Sequence, residues 1–255
     1  MMAAFSGRSV LVAGATSGIG EAVALAFAAS GARLVISGRN RQRGDALAVR
    51  LCEVGGEGIF LAGDITDRGF CDELVAQCVS RFGGLDACVN SAGVIHHATI
   101  DGTSDEVWHE TMAVNLNGVF YVCRAAVRAM LPKRRGVIIN IASDAGLSGS
   151  EHLAAYCASK GAVVQLSRAM ALDHGRDGIR VIPVCPGDVD TPMLRGEFEE
   201  RGISVEEGLE QSAAVIPVRR VCTAEEVAGL VLYAASDAAR FMTGYPLVLD
   251  GGGRA

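Results

Sequence analysis

Short apolar runs rich in Val and Ile alternate with helix-length stretches along nearly all 255 residues, and this alternation constrains the fold more than any other feature. SVLVAGA is followed by GIGEAVALAFAAS, RLVISG by RGDALAVRLCEVG, GIFLAGD by RGFCDELVAQCVSRFG, and DACVNSAG by a longer stretch up to Met130. The cycle repeats with GVIINIAS, a helical stretch around Tyr156 and IRVIPVCPG, and GYPLVLDGGG supplies a last short strand. Runs apolar on both faces suit strands covered from both sides, and strands joined through helices run parallel. The expectation is an α/β fold with a doubly wound parallel sheet of about seven strands and helices on both faces. No linker, repeat or low-complexity tract interrupts it, so residues 1–255 read as a single domain. Residues 188 to about 216 break the rhythm with charged, weakly periodic sequence, which suggests a mobile helical flap.

The charge balance narrows the partners. A formal net charge of -6 gives no general attraction for phosphate backbones or anionic membrane surfaces, so neither nucleic acid nor a membrane is expected. No apolar run approaches the roughly 18 to 20 residues that span a bilayer, and MMAAFSGRSVLV lacks the basic start of a signal peptide. A cytoplasmic location follows as the expectation. The eight cysteines form no C-x-x-C pair and no Cys/His cluster with zinc spacing, which predicts reduced, mostly buried thiols and no metal site.

After the first strand come Gly14, Ala15, Thr16, Ser17, Gly18, Ile19 and Gly20, and an amphipathic helix begins at once. Glycines let the chain turn sharply and let a ligand approach the amides, while a helix N-terminus favours negative charge. A dinucleotide pyrophosphate fits such a Rossmann-type strand–loop–helix unit, although the spacing is G-x-x-x-G-x-G rather than G-x-G-x-x-G. An NAD site usually places a carboxylate at the end of the second strand. Here that place holds Gly38, with Arg39 beside it. A guanidinium suits a 2′-phosphate, so NADP(H) is favoured and NAD(H) stays possible. The alternative is that Arg39 is one of several solvated arginines in GRNRQRG.

In LAAYCASKGA, Tyr156 and Lys160 stand four residues apart, on one face of a helix. A tyrosine titrates near 10, and a nearby ammonium favours its phenolate. Cys157 between them points to another face. Ser143 ends the GVIINIAS strand, where active groups of a parallel sheet gather.

The loop GATSGIG, NSAG (Asn90 to Gly93), VNLNG (Val114 to Gly118), Ser143 in NIAS, YCASK and PGDVDT (Pro186 to Thr191) occur in one order across nearly the whole chain. This pattern resembles the short-chain dehydrogenase/reductase family. The resemblance implies that Tyr156 is the general acid/base, Lys160 its electrostatic partner, Ser143 the carbonyl-orienting hydroxyl and Asn115 the relay residue. It implies that Asp64 and Ile65 lie at the adenine, that Asn90, Ala92 and Gly93 line the cofactor, and that Pro186, Gly187, Val189 and Thr191 meet its nicotinamide end. A homotetramer is implied likewise. Ala13 and Ser91 depart from the family pattern, where Thr and Asn are commoner.

The substrate is where the sequence thins out. A small-molecule secondary alcohol or ketone is expected, and His96, His97, Glu151 and His152 hint at a sugar, polyol or cyclic alcohol. The alternative is a 3-oxoacyl-thioester reductase, whose acidic carrier protein would need a basic patch; Arg124, Arg128, Lys133, Arg134 and Arg135 are the candidate. A non-catalytic dinucleotide-binding sensor is a second alternative.

Overall fold

The computed structural model describes residues 4–255. Seven strands form one sheet: β1 (Ser9–Ala13), β2 (Arg33–Gly38), β3 (Glu57–Ala62), β4 (Ala87–Asn90), β5 (Gly136–Ile141), β6 (Ile179–Pro186) and β9 (Leu247–Leu249), in the order β3-β2-β1-β4-β5-β6-β9. Every pairing is parallel. The order runs one way from β1 through β2 to β3 and the other way from β4 to β9. The carboxyl ends of β1 and β4 therefore flank a crevice at the reversal, the place where such sheets take ligands.

Period-2 alternation explains why both sheet faces are dry. In β1, Val10 and Val12 pack into one core with α1 (Gly18–Ala29), α2 (Arg41–Glu53) and α9 (Ala224–Ala235), whereas Leu11 and Ala13 pack into another. That second core gathers α3 (Arg68–Phe82), α5 (Val119–Met130) and α6 (Ala154–His174). Ile138 and Ile139 divide the same way in β5, and both are fully buried.

The helix leading into α5 is not uniform. α4 (Asp105–Met112) continues through a π-helical turn over Ala113–Gly118, which contains Asn115. Such turns often mark functional positions. The segment expected to be a helical flap contains two capped helices, α7 (Pro192–Glu200) and α8 (Val205–Val215), started by Thr191 and Ser204 side chains. Their weak periodicity reflects partial burial, since Leu194, Phe198 and Gly208 are the residues they turn inward. A small ladder missed by the strand pattern joins β7 (Val189–Asp190) to β8 (Cys222–Thr223) in parallel. No helix among the described residues is long and apolar enough to cross a membrane.

Ile138 touches the α3, α5 and α6 side with no exposed surface. Its truncation leaves a cavity that neighbouring side chains fill only in part. Ile138→Ala should therefore lower the free energy of unfolding by about 2–5 kcal/mol, read from urea melts. An unshifted midpoint would contradict the packing described.

Candidate functional site

A cleft of about 380 Å³ opens at the carboxyl ends of the strands. The glycine loop forms one wall, lined by Gly14, Thr16, Ser17, Gly18 and Ile19. Gly14 has φ 80°, in the left-handed region, and a side chain there would overlap the Ala92 backbone. Gly20 does not line the cleft; a Cβ on it would overlap the Gly14 carbonyl, so its absence lets α1 start against the loop.

The N-terminus of α1 differs from those of α2, α3, α4, α7, α8 and α9, each of which is closed by a side-chain cap. Its Ser17 makes no side-chain cap bond, so the first-turn amides keep their donors for an anion in the cleft. At the end of β2, a side chain on Gly38 would press on the Thr16 side chain, which would have to shift to admit a carboxylate at that position. Arg39 is exposed and lines the cleft beside it, and Asp64 and Ile65 follow from the end of β3. The residues present thus fit a dinucleotide, with open amides for its phosphates and a guanidinium at the far end.

The opposite half of the cleft holds Ser143, Tyr156 and Lys160 together. Ser143 follows β5 in extended conformation; its Oγ accepts from the Ala145 amide at 3.1 Å and donates to Asp144 Oδ1 at 3.1 Å. Lys160, only 6% exposed, donates from Nζ to the Ile141 carbonyl at 2.9 Å. Its Nζ stands 5.6 Å from the centre of the Tyr156 ring. Cys157 is absent from the lining, as its place on the helix implies.

Burial dominates the titration of this pair. It pushes the Tyr156 phenol well above its ordinary value; hydrogen bonding by Ser143 opposes the shift, while the carboxylates of Glu197 and Asp144 add to it. Burial also holds the Lys160 ammonium down, to about 8. The lowered phenol expected from the lysine acting together with an oxidised nicotinamide is therefore not a property of the lysine alone. Lys160 donates a hydrogen bond to the Ile141 carbonyl, and removing both groups from water penalises both charged forms.

Asn115 is fully buried and does not line the cleft. Its Oδ1 accepts from Val94 N at 2.8 Å, and its Nδ2 donates to Val94 O at 2.9 Å and to Ser159 Oγ at 3.1 Å. With both amide protons engaged, its side chain ties the loop after β4 to α6. Asn90 also lies outside the cleft: its Nδ2 donates to Asn140 Oδ1 at 2.8 Å, in the core, because its side chain turns into the sheet. Ala92, Gly93, Pro186, Gly187, Val189 and Thr191 do line the cleft, and Ser91 joins them.

The substrate expectations fare differently. His96 pairs with Glu110 at 3.1 Å, and neither it, Glu151 nor His152 lines the cleft. Glu151 and His152 are exposed because Leu153, next in the chain, takes the inward position. His97 meets Glu197 at 2.6 Å, and it is Glu197, on α7, that faces the cleft. Asp144, Ser150, Met193 and Arg254 line it too and were not anticipated; nothing in their local sequence distinguishes them from surface residues. The basic patch lies at the wrong end of the sheet. Lys133, Arg134 and Arg135 precede β5, whereas the cleft opens where β5 ends, and Arg134 is engaged with Arg176 and Asp177. Arg124 is drawn inward against the Phe120 and Tyr121 rings.

Residues 14–253 match the family described as Enoyl-(Acyl carrier protein) reductase. A 3beta-hydroxysteroid dehydrogenase of Mediterraneibacter gnavus is 37% identical over 99% of this chain and 96% of its own length. A meso-2,3-butanediol dehydrogenase of Serratia marcescens is 36% identical, covering 98% of this chain and 96% of its own. Among solved structures, an actinorhodin polyketide ketoreductase variant with NADPH superposes with a TM-score of 0.92 at 35% identity, over 97% of this chain and 98% of that one.

The lowered Lys160 has a measurable consequence. From pH 8 upward the folded lysine releases its proton, while the unfolded one keeps it to about 10.4. The unfolded state then binds more protons, so this group adds stability as pH rises through that window. Buried thiols such as Cys71, Cys78 and Cys123 have raised values and act in the opposite sense above pH 9. The difference in unfolding free energy between wild type and Lys160→Met should therefore increase from pH 8 to 10; a flat difference would contradict a buried, depressed lysine.

Proposed function

The chain belongs to the short-chain dehydrogenase/reductase family and is an NAD(P)-dependent oxidoreductase acting on secondary alcohols and ketones; from that premise we propose how its residues divide the work. The observation that carries the proposal is the meeting of Ser143, Tyr156 and Lys160 in one cleft with the open N-terminus of α1. A bound nicotinamide cofactor supplies or accepts the hydride. Tyr156 gives its proton to the carbonyl oxygen in reduction and takes the alcohol proton in oxidation. Ser143 turns its hydroxyl from Asp144 to that oxygen, and so fixes where charge develops. Lys160 keeps a positive charge beside the ring that must become anionic. Asn115 acts as a positioning residue, through Val94 and Ser159.

NADP(H) is the preferred cofactor in this reading. The glycine at position 38, where Thr16 crowds any side chain, and the Arg39 guanidinium support it. The substrate is a small hydroxylated alcohol or its ketone, and the polar mouth formed by Asp144, Ser150 and Glu197 favours it over an acyl thioester. The misplaced basic patch weighs on the same side. The eight unpaired cysteines support a reducing, cytoplasmic setting. The exposed Phe241 and Tyr245, close in sequence to the edge strand β9, support a homo-oligomer.

Tyr156→Phe should abolish turnover of meso-2,3-butanediol while cofactor affinity, measured by fluorescence titration, stays near wild type. Turnover surviving within tenfold would remove the acid/base role. Arg39→Ala should raise the KM for NADP(H) by about tenfold or more and leave that for NAD(H) nearly unchanged. Equal effects on both cofactors would refute the 2′-phosphate assignment.

A further inference from the structure

One side-chain chain at the cleft is not needed to explain the reaction but touches the group that performs it. Ser143 Oγ donates to Asp144 Oδ1 at 3.1 Å, and the other oxygen of that carboxylate, Oδ2, accepts from Arg254 Nε at 3.0 Å. Arg254 is itself anchored: its amide donates to Asp250 Oδ2 at 2.8 Å and its guanidinium to Ser150 Oγ at 3.2 Å. Ser143, Asp144, Ser150 and Arg254 all line the cleft. Asp144 and Arg254 keep 19% and 35% of their side-chain surface, so the ion pair is partly shielded from solvent.

We propose that Arg254 is a positioning residue for the reaction, one that holds Asp144 and thereby frees the Ser143 hydroxyl to serve the substrate oxygen. The inference rests on the assignment of Ser143 and Tyr156 given above.

Ser143 has one hydroxyl proton, which it gives in a hydrogen bond to Asp144, and one of its two lone pairs accepts from the Ala145 amide. To hydrogen-bond a substrate oxygen it must withdraw that proton from Asp144. A carboxylate free of other partners is a strong acceptor and would keep it. Arg254 satisfies the far oxygen, draws charge away from the near one and fixes the plane of the carboxylate. It lowers the cost of turning Ser143 outward.

The same pair acts on the tyrosine. Beyond burial and Ser143, the charges that bear on the Tyr156 phenol are Glu197 on α7, Asp144 after β5 and Cys157 on its own helix, with Lys160 beneath the ring. Asp188 also lines the cleft, and His97 is bonded to Glu197. Of the carboxylates, Asp144 is countered by Arg254 and Glu197 by His97, which is a cation only when protonated. Loss of Arg254 exposes the phenol to the full charge of Asp144 and opposes phenolate formation.

The test uses the full-length enzyme with meso-2,3-butanediol and NADP⁺. Arg254→Ala should lower kcat about three- to tenfold with a smaller change in KM, and move the rising limb of the pH profile to higher pH. Arg254→Lys should recover part of both. In the double variant Asp144→Asn/Arg254→Ala the limb should return to its wild-type position, because the charge that Arg254 counters is gone. A second readout does not depend on turnover: the near-ultraviolet phenolate absorbance with NADP⁺ bound, taken as the difference between each protein and its Tyr156→Phe counterpart, should titrate at higher pH in Arg254→Ala. An unchanged titration in folded Arg254→Ala, or a double variant that keeps the shift, overturns the proposal. If Tyr156→Phe is inactive and Arg254→Ala is unaltered, only this inference fails; if Tyr156→Phe still turns over, the site assignment fails with it.

Discussion

A cation kept almost wholly out of water organises the reactive half of this molecule. The Lys160 ammonium sits at the end of β5, where the Ile141 carbonyl accepts a hydrogen bond from it. That bond joins the buried Val163, Val164 and Ala171 and the Ser159–Asn115 contact in fixing the face that α6 turns inward, and with it the position of Tyr156 one turn earlier on the same face. The Gly93 turn runs directly over the ammonium: a Cβ built there would stand 3.5 Å from Nζ. The loop after β4 is pinned in turn by Asn115, whose amide grips both the nitrogen and the oxygen of Val94. A strand end, a loop and a helix thus converge on a charge that none of them could bury alone.

Much of this was legible in the sequence because it follows from local rules. The seven strands announce themselves as Val- and Ile-rich runs between helices, and the glycine loop reads from its position between β1 and α1. Tyr156 and Lys160 share a face by simple helical spacing. Other features depend on which side of a strand or turn faces inward, and a single sequence is silent on that. Asn90 looked like a cofactor contact and is a core hydrogen-bonding group; Glu151 and His152 looked like substrate contacts and point to solvent. Glu197 and Arg254 could not be found by pattern, since they reach the cleft through tertiary packing of α7 and of the segment after β9.

The electrostatics of the cleft are also a tertiary property. Reading Tyr156 beside Lys160 suggests a lowered phenol, yet burial reverses the sign. A phenol held protonated is a poised acid, suited to give its proton to a carbonyl oxygen; using it as a base requires further positive charge at the moment of reaction. The polar groups at the mouth determine how costly that second direction is.

The two-residue ladder between β7 and β8 has a consequence for the history of such a chain. Val189 pairs with Cys222 and Asp190 with Thr223, so the ends of the intervening stretch, which contains α7 and α8, are clasped side by side. A segment whose two ends are fastened together can be lengthened, shortened or replaced at little entropic cost and without disturbing the sheet beneath it. This wall of the cleft, to which Met193 and Glu197 belong, is therefore the part that can vary most freely while the sheet and the rest of the lining stay fixed.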